Sequence, residues 1–403
     1  MDIMNNNAIP LDVAAAEDHL MRFLSVEGVT GQEANIAAAV SDALQKVGVP
    51  ASAIRFDDAN KRIPLPTETG NLIVDLPGTR PGPRLLFSTH LDTVPLCAGA
   101  KPRREGDRIV SDGTTALGGD ARTGVAVLVV VAETLIKNKL PHPPITLLFT
   151  VREESGLHGA RELNPAALGG AVMCINVDGQ MASDLIIGAV GQENWEVEIT
   201  GRASHAGVAP EKGISATMVG AMALAEARRA GWFGKVVKPD GRGTSNVGIF
   251  GGKDNKPAGD ATNVVTDYAF IKGEARSPES AFATKIAKGY EEAFIKAQSE
   301  VTDDAGDTAA LKFSHVTSYP PFELGKDAPI VKRATRALQM LGMEPQYVFS
   351  NGGLDANWLD KHGVPTITIG SGQAEIHTIK EYVNLPEFEK GCRIGVLMAT
   401  LDE

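Results

Sequence analysis

The stretch Ile145–Ala160, ITLLFTVREESGLHGA, opens as an apolar, β-branched run and ends in two adjacent carboxylates, Glu153 and Glu154. Neighbouring side chains on an extended chain point to opposite faces, so the two acids are expected to serve different ends. Runs of the same texture recur in NLIVDLPG from Asn71, RLLFSTHLD from Arg84 and AVMCINVDG from Ala171. Short apolar runs of this kind fill a sheet that is covered on both faces. Helical spacing marks Val13 to Val26 and Gln32 to Val47, and GVAVLVVVAETLI from Gly124 reads as a buried helix, being too short to span a bilayer. Strands alternating with helices give an α/β fold with a mixed, mostly parallel sheet.

The texture changes between about Gln192 and Phe322. There the order is strand NWEVEITG, helix SATMVGAMALAEARRA, strand SNVGIFGG, strand VVTDYAFIKGEARS, helix ESAFATKIAKGYEEAFIKAQSE and strand ALKFSHVTSYPPF. This βαββαβ series is the ferredoxin-like arrangement. A helix from Ala328 to Leu341 and the strand PTITIGSG from Pro365 then resume the α/β style. The reading is a catalytic domain split over residues 1–190 and 323–403, interrupted by an inserted α+β domain over 191–322.

A net charge of −11 over 403 residues argues against nucleic acid, which needs a basic face. Hydrophobic residues at 43% and charged residues at 22% fit a soluble chain with no membrane partner. The opening MDIMNNNAIPLDVAAAEDHL has no basic region followed by an apolar one, and Cys97, Cys174 and Cys392 form no C-x-x-C pair, so a cytoplasmic location is expected.

Five short stretches carry candidate chemistry. His90 and Asp92 stand two apart in STHLDTVP, on one face of a strand end, so Asp92 can accept from the imidazole nitrogen that a metal does not use. Asp120 follows two glycines in ALGGDARTGVA, where a helix cap would also explain it. Glu153 and Glu154 close their strand, Asp178 closes INVDGQ, and His377 lies in AEIHTIKEY. Each alone is as easily structural. Together they form a mixed imidazole and carboxylate set, which suits zinc, cobalt or manganese rather than calcium or magnesium. There is no H-E-x-x-H, Walker A or G-x-S-x-G motif.

In order, STHLDTVP, LGGDARTG, FTVREESGLHGA, NVDG, GRASHAGVAPEKGISA and GQAEIHT resemble the motifs of the dinuclear zinc exopeptidases, the family of peptidase T, aminoacylase, carboxypeptidase G and succinyl-diaminopimelate desuccinylase. SNGGLDANWL with GVPTITIGSGQAEIHTIKEYV looks most like the peptidase T branch. The resemblance implies two divalent metal ions, zinc with cobalt or manganese as alternatives. His90, Asp120 and Asp178 would hold one, and Asp120, Glu154 and His377 the other, with Asp120 as the bridge. It further implies a cis peptide at Asp120–Ala121, Glu153 as general base and Asp92 as the orienter of His90. His205 in GRASHAG would reach a partner's site across a homodimer formed by the inserted lid domain. Asn263, Arg276, Gly352 and Gly353 would contact the substrate, with Asn357 near the same pocket and hinges near 190 and 322. Arg122 stands where relatives usually have lysine, a departure that keeps the charge. The implied activity is removal of the N-terminal residue from short peptides, most like a tripeptidase. The alternatives are an N-acyl amino acid deacylase or carboxypeptidase of the same family, and a non-catalytic peptide-binding protein.

Overall fold

The computed structural model describes residues 9–402, the side chain of Asn255 excepted, so the first eight residues of the opening stretch lie outside the described residues. The chain divides into two compact units, one built from residues up to Ala189 together with those from Phe322 onward, the other Val190–Pro321.

The first unit is organised by a nine-stranded mixed sheet. Its centre is four parallel strands in the order Ile145–Thr150, Leu85–His90, Met173–Val177 and Thr366–Ile369. Every residue of the first two of these strands is buried, which is why the sequence shows continuous apolar runs there instead of alternation. Beyond this centre the pairing is mixed, with Gln346–Ser350 parallel to Asp184–Ala189. Outside it, Leu72–Leu76 pairs antiparallel with Ile145–Thr150, and Asp184–Ala189, a strand the sequence reading passed over, pairs antiparallel with Thr366–Ile369. One layer over the sheet contains the helix Gly119–Lys137, whose side chains are buried almost throughout because the sheet, Val13–Leu24 and the C-terminal helix Leu385–Thr400 all pack against it. Gly124 is where this helix meets the sheet: an added Cβ would stand 2.2 Å from both Thr89 Oγ1 and Val177 O.

The second unit is a five-stranded antiparallel sheet with two helices, Ala216–Arg229 and Ser280–Glu300. Strand Gly191–Thr200 alternates buried and half-buried residues along its length, the period-two signature of a sheet covered on one face. Trp195, Val197 and Ile199 supply its core side, where Trp195 stacks on Tyr290 with ring centroids 4.4 Å apart. The spatial order Ala310–Tyr319, Gly191–Thr200, Tyr268–Ser277, Gly241–Gly251 is ferredoxin-like, and it is extended at one edge by Gly234–Lys238, a strand additional to the βαββαβ series. Among the described residues no helix is long and apolar enough to cross a membrane.

Candidate metal centre

The parallel pairing brings the chemistry together. His90 ends its strand opposite Thr150, and the neighbouring parallel strand runs straight on from Val177 into Asp178. The fourth parallel strand ends at Ile369 and leads into the segment that carries His377. Parallel strands necessarily deliver their C-terminal ends to one edge, where open α/β sheets bind ligands. Asp120 arrives at the same edge on the first turn of the buried helix, after Gly118 has taken a left-handed backbone with φ of +84°. The Asp120–Ala121 peptide is cis, as the resemblance implies.

The two oxygens of Asp120 face two different imidazoles. Oδ1 lies 3.1 Å from His90 Nε2, and Oδ2 lies 3.2 Å from His377 Nε2. Asp178 Oδ1 is 3.7 Å from His90 Nε2, and Glu154 is 3.0 Å from His377 Nε2. Zinc bonds of about 2.0–2.1 Å in a tetrahedron set ligand atoms about 3.3 Å apart, close to these separations. His90 Nδ1 donates to the backbone carbonyl of Asp92 at 2.9 Å, which leaves Nε2 free as a ligand nitrogen.

The electrostatics point the same way. Burial pushes the Glu154 carboxyl up to about 7, against the opposing effect of His377. Burial and then the charge of Asp120 push Asp178 up to about 6. Burial also opposes ionisation of Asp120, but its contacts with His377 and His90 outweigh this and hold it low. His377 is pushed up to about 10 by Asp120 and then Glu154. Three carboxylates and two imidazoles converging in a mostly buried space make a strongly anionic donor set of nitrogen and oxygen, which fits divalent metal ions.

Glu153 and Glu154 do not lie on the strand. The strand ends at Thr150, and Arg152 turns the chain with a left-handed φ of +54°. The divergence expected from strand alternation is therefore produced by a turn instead. Asp92 grips that turn: its Oδ1 and Oδ2 accept from the amides of Glu153 and Glu154 at 3.0 and 3.1 Å. The Asp92 carboxylate thus sets the backbone of the acidic pair, while its carbonyl is the nearer partner of His90. Glu33, fully buried, accepts from the Arg152 amide at 3.1 Å and the Gly31 amide at 2.6 Å. Among the described residues the Glu153 carboxylate has no hydrogen-bond partner, and burial pushes its pKa well above the usual carboxylate range.

Other positions read from sequence lie elsewhere. In the second unit, His205 and Asn263 are exposed neighbours on adjoining segments, joined by the bond from Ala206 N to Asn263 O, and Arg276 is held at 3.0 Å through Nε and Nη2 by Glu274. In the first unit Gly352 exchanges hydrogen bonds with Ser350 Oγ, and Gly353 is half-buried. Asn357 is fully buried and accepts from the Leu354 amide, opening the helix Asp355–Lys361. Arg122 is buried with Nη2 on the carbonyls of Val26 and Gly28, away from the ligands. Sequence reading missed Asp355, buried and bonded to Thr150 Oγ1, as well as Glu33, Gln373 and Glu381. Asp355, Gln373 and Glu381 lie inside motif stretches without a periodic signal of their own, and Glu33 lies outside every motif; their partners are distant in the chain.

Residues 86–400 match Peptidase family M20/M25/M40. The chain is 30% identical over 384 residues to YqjE of Bacillus subtilis (strain 168), an uncharacterized protein, covering 94% of this chain and 96% of that one. The crystal structure of aminopeptidase PepT from Bacillus cereus ATCC 10987 is similar with a TM-score of 0.83 at 31% identity, over 97% of this chain and 98% of that one. A tripeptidase (SAV1512) from Staphylococcus aureus gives 0.86 at 27% identity with the same coverage. Sequence and fold thus agree over nearly the whole length, and this chain belongs to peptidase family M20/M25/M40 and is a metallopeptidase-type hydrolase.

Proposed function

We propose that the protein is an aminopeptidase that removes the N-terminal residue of short peptides, tripeptides above all. The observation that carries this reading is the placement of Asp120 between His90 and His377, with Glu154 and Asp178 at its flanks and the unpartnered Glu153 carboxylate on the adjoining turn. Similarity to an aminopeptidase and a tripeptidase supports the choice of substrate. His90, Asp120 and Asp178 would hold one divalent ion, and Asp120, Glu154 and His377 a second, zinc with cobalt or manganese as alternatives. Such ions supply Lewis-acid polarisation of the scissile carbonyl and lower the pKa of water from 15.7 toward about 7.

Glu153 accepts the proton of the attacking water and passes it to the leaving amine as the carbon–nitrogen bond breaks. Its raised proton affinity suits both halves of that transfer. Asp92 keeps the carboxylate in place by holding the Glu153 amide, and it keeps the His90 imidazole in the tautomer that offers Nε2. In the second unit His205, Asn263 and Arg276 are assigned to the oxyanion and the polar ends of the substrate on motif likeness. A homodimer through that unit is supported by its exposed apolar residues Val208, Val237 and Val316, and sedimentation measures it. Free, buried cysteines support a cytoplasmic location.

The deciding assay offers the metal-loaded enzyme di- and tripeptides with free and blocked amino termini. Cleavage of free tripeptides at the first bond is expected. Cleavage of blocked substrates alone would place the enzyme among the deacylases. Glu153→Gln is expected to lower kcat about 10²–10⁴-fold while retaining metal, and full turnover by that variant refutes the assigned base.

A further inference from the structure

The segment Gln373–Glu381 touches the centre at three points spaced four residues apart. At its middle, His377 faces Asp120 Oδ2 and Glu154. At its start, Gln373 is buried and its Nε2 donates to Asp178 Oδ1 at 3.2 Å, while its Oε1 accepts from Thr123 Oγ1 at 3.3 Å. Ser371 Oγ in turn donates to Thr123 Oγ1 at 2.8 Å. At its end, the Glu381 carboxylate collects three backbone amides of the turn that carries Asp120: Leu117 and Gly118 on Oε2 at 2.8 and 2.9 Å, and Asp120 itself on Oε1 at 3.2 Å. Glu381 is 2% exposed, so these bonds are shielded from water and its charge is spent on the turn.

The two ends of the segment are tied to each other. Gln373 and Ala374 pair antiparallel with Val383 and Tyr382, so the loop between them is closed at its base. Gly119 lies between the two arms, where an added Cβ would come 3.0 Å from Val383 Cγ2, 3.3 Å from Glu381 Oε1 and 3.7 Å from Gln373 Cβ. The ligand-bearing turn therefore sits in direct contact with both ends of the loop.

We infer that Gln373 and Glu381 are positioning residues that, with His377 between them, make this segment one clamp: Glu381 fixes the turn of the shared ligand Asp120, and Gln373 fixes the carboxylate of Asp178. The inference rests on the reading of these residues as a two-metal site and adds which side chains set its spacing. Because Asp120 faces both imidazoles, loosening its turn acts on both metal positions. Asp178 faces His90 alone, so freeing it acts on one.

Titration of the metal-free chain with Co(II), followed by visible absorption and by metal content after dialysis, tests this. E381Q keeps the volume but turns an amide NH2 toward N–H groups that need an acceptor. It is expected to weaken both equivalents by about 10–100-fold, to alter the cobalt spectrum, and to lower kcat with KM little changed. Q373M removes the donor to Asp178 and is expected to weaken one equivalent and leave the other as in the unmutated chain. Thermal unfolding of each variant separates a loose centre from a damaged fold. Two equivalents bound by E381Q with unchanged affinity and spectrum overturn the clamp, as does equal weakening of both equivalents in Q373M. An unmutated chain that takes up no cation overturns the two-metal reading itself, an outcome distinct from either.

Discussion

Glu33 offers a test of the electrostatics beneath the acidic turn. Its side chain is fully buried, Oε1 takes both available amides, and Oε2 has no partner. Burial, and after it the charge of Asp92, push its pKa from 4.5 up to about 7. A carboxyl with a raised folded-state pKa binds more protons folded than unfolded, so its ionisation costs stability as pH rises from 4.5 and the cost is complete above about 7. A shift of about 2.5 units at about 1.36 kcal/mol per unit makes that cost about 3 kcal/mol. Glu33→Gln keeps an acceptor for Gly31 and Arg152 and cannot ionise. For a folding unit of about 270 residues, an unfolding entropy of about 2.1 cal/mol/K per residue converts about 3 kcal/mol into roughly 5 °C. The variant's Tm relative to the unmutated protein is therefore expected to rise by roughly 5 °C between pH 4.5 and pH 8, whatever its offset at the lower pH. Scanning calorimetry across that range, at fixed metal content, measures it. A Tm difference that stays flat with pH means that Glu33 ionises normally, and the burial argument fails.

Three further outcomes follow from the packing and the donor set. Gly124→Ala places a Cβ against Thr89 Oγ1 and Val177 O, the latter a backbone atom that cannot rotate away; a loss of about 3 kcal/mol or more is expected by urea unfolding. His377→Ala removes the imidazole that faces Asp120 and Glu154, and metal analysis after dialysis should find one ion per chain retained by His90, Asp120 and Asp178. Trp195→Ala empties the stack on Tyr290 and Phe313 at the centre of the second unit and should cost about 3–5 kcal/mol in the unfolding transition of that unit.

Strand texture, helix spacing and the ordered motifs were legible in the chain alone, because they are local: a buried parallel strand must be apolar throughout, and a ligand at a strand end follows its apolar run directly. The same locality explains what went unread. Gly234–Lys238 and Asp184–Ala189 are short strands whose partners, not their own residues, make them strands. At the acidic pair Glu153 and Glu154, alternation along a strand gives way to a turn made by the left-handed Arg152 and held by Asp92. Asp355, Gln373 and Glu381 lie inside the motif stretches, yet nothing local singled them out, and Glu33 lies outside every motif. Sequence by itself determined which residue types stand at the ends of the strands. Only the tertiary structure decided which carboxylates hold a backbone and which face an imidazole, because an acid's role depends on the donors within about 3 Å of it, and those donors come from segments as much as 264 residues away.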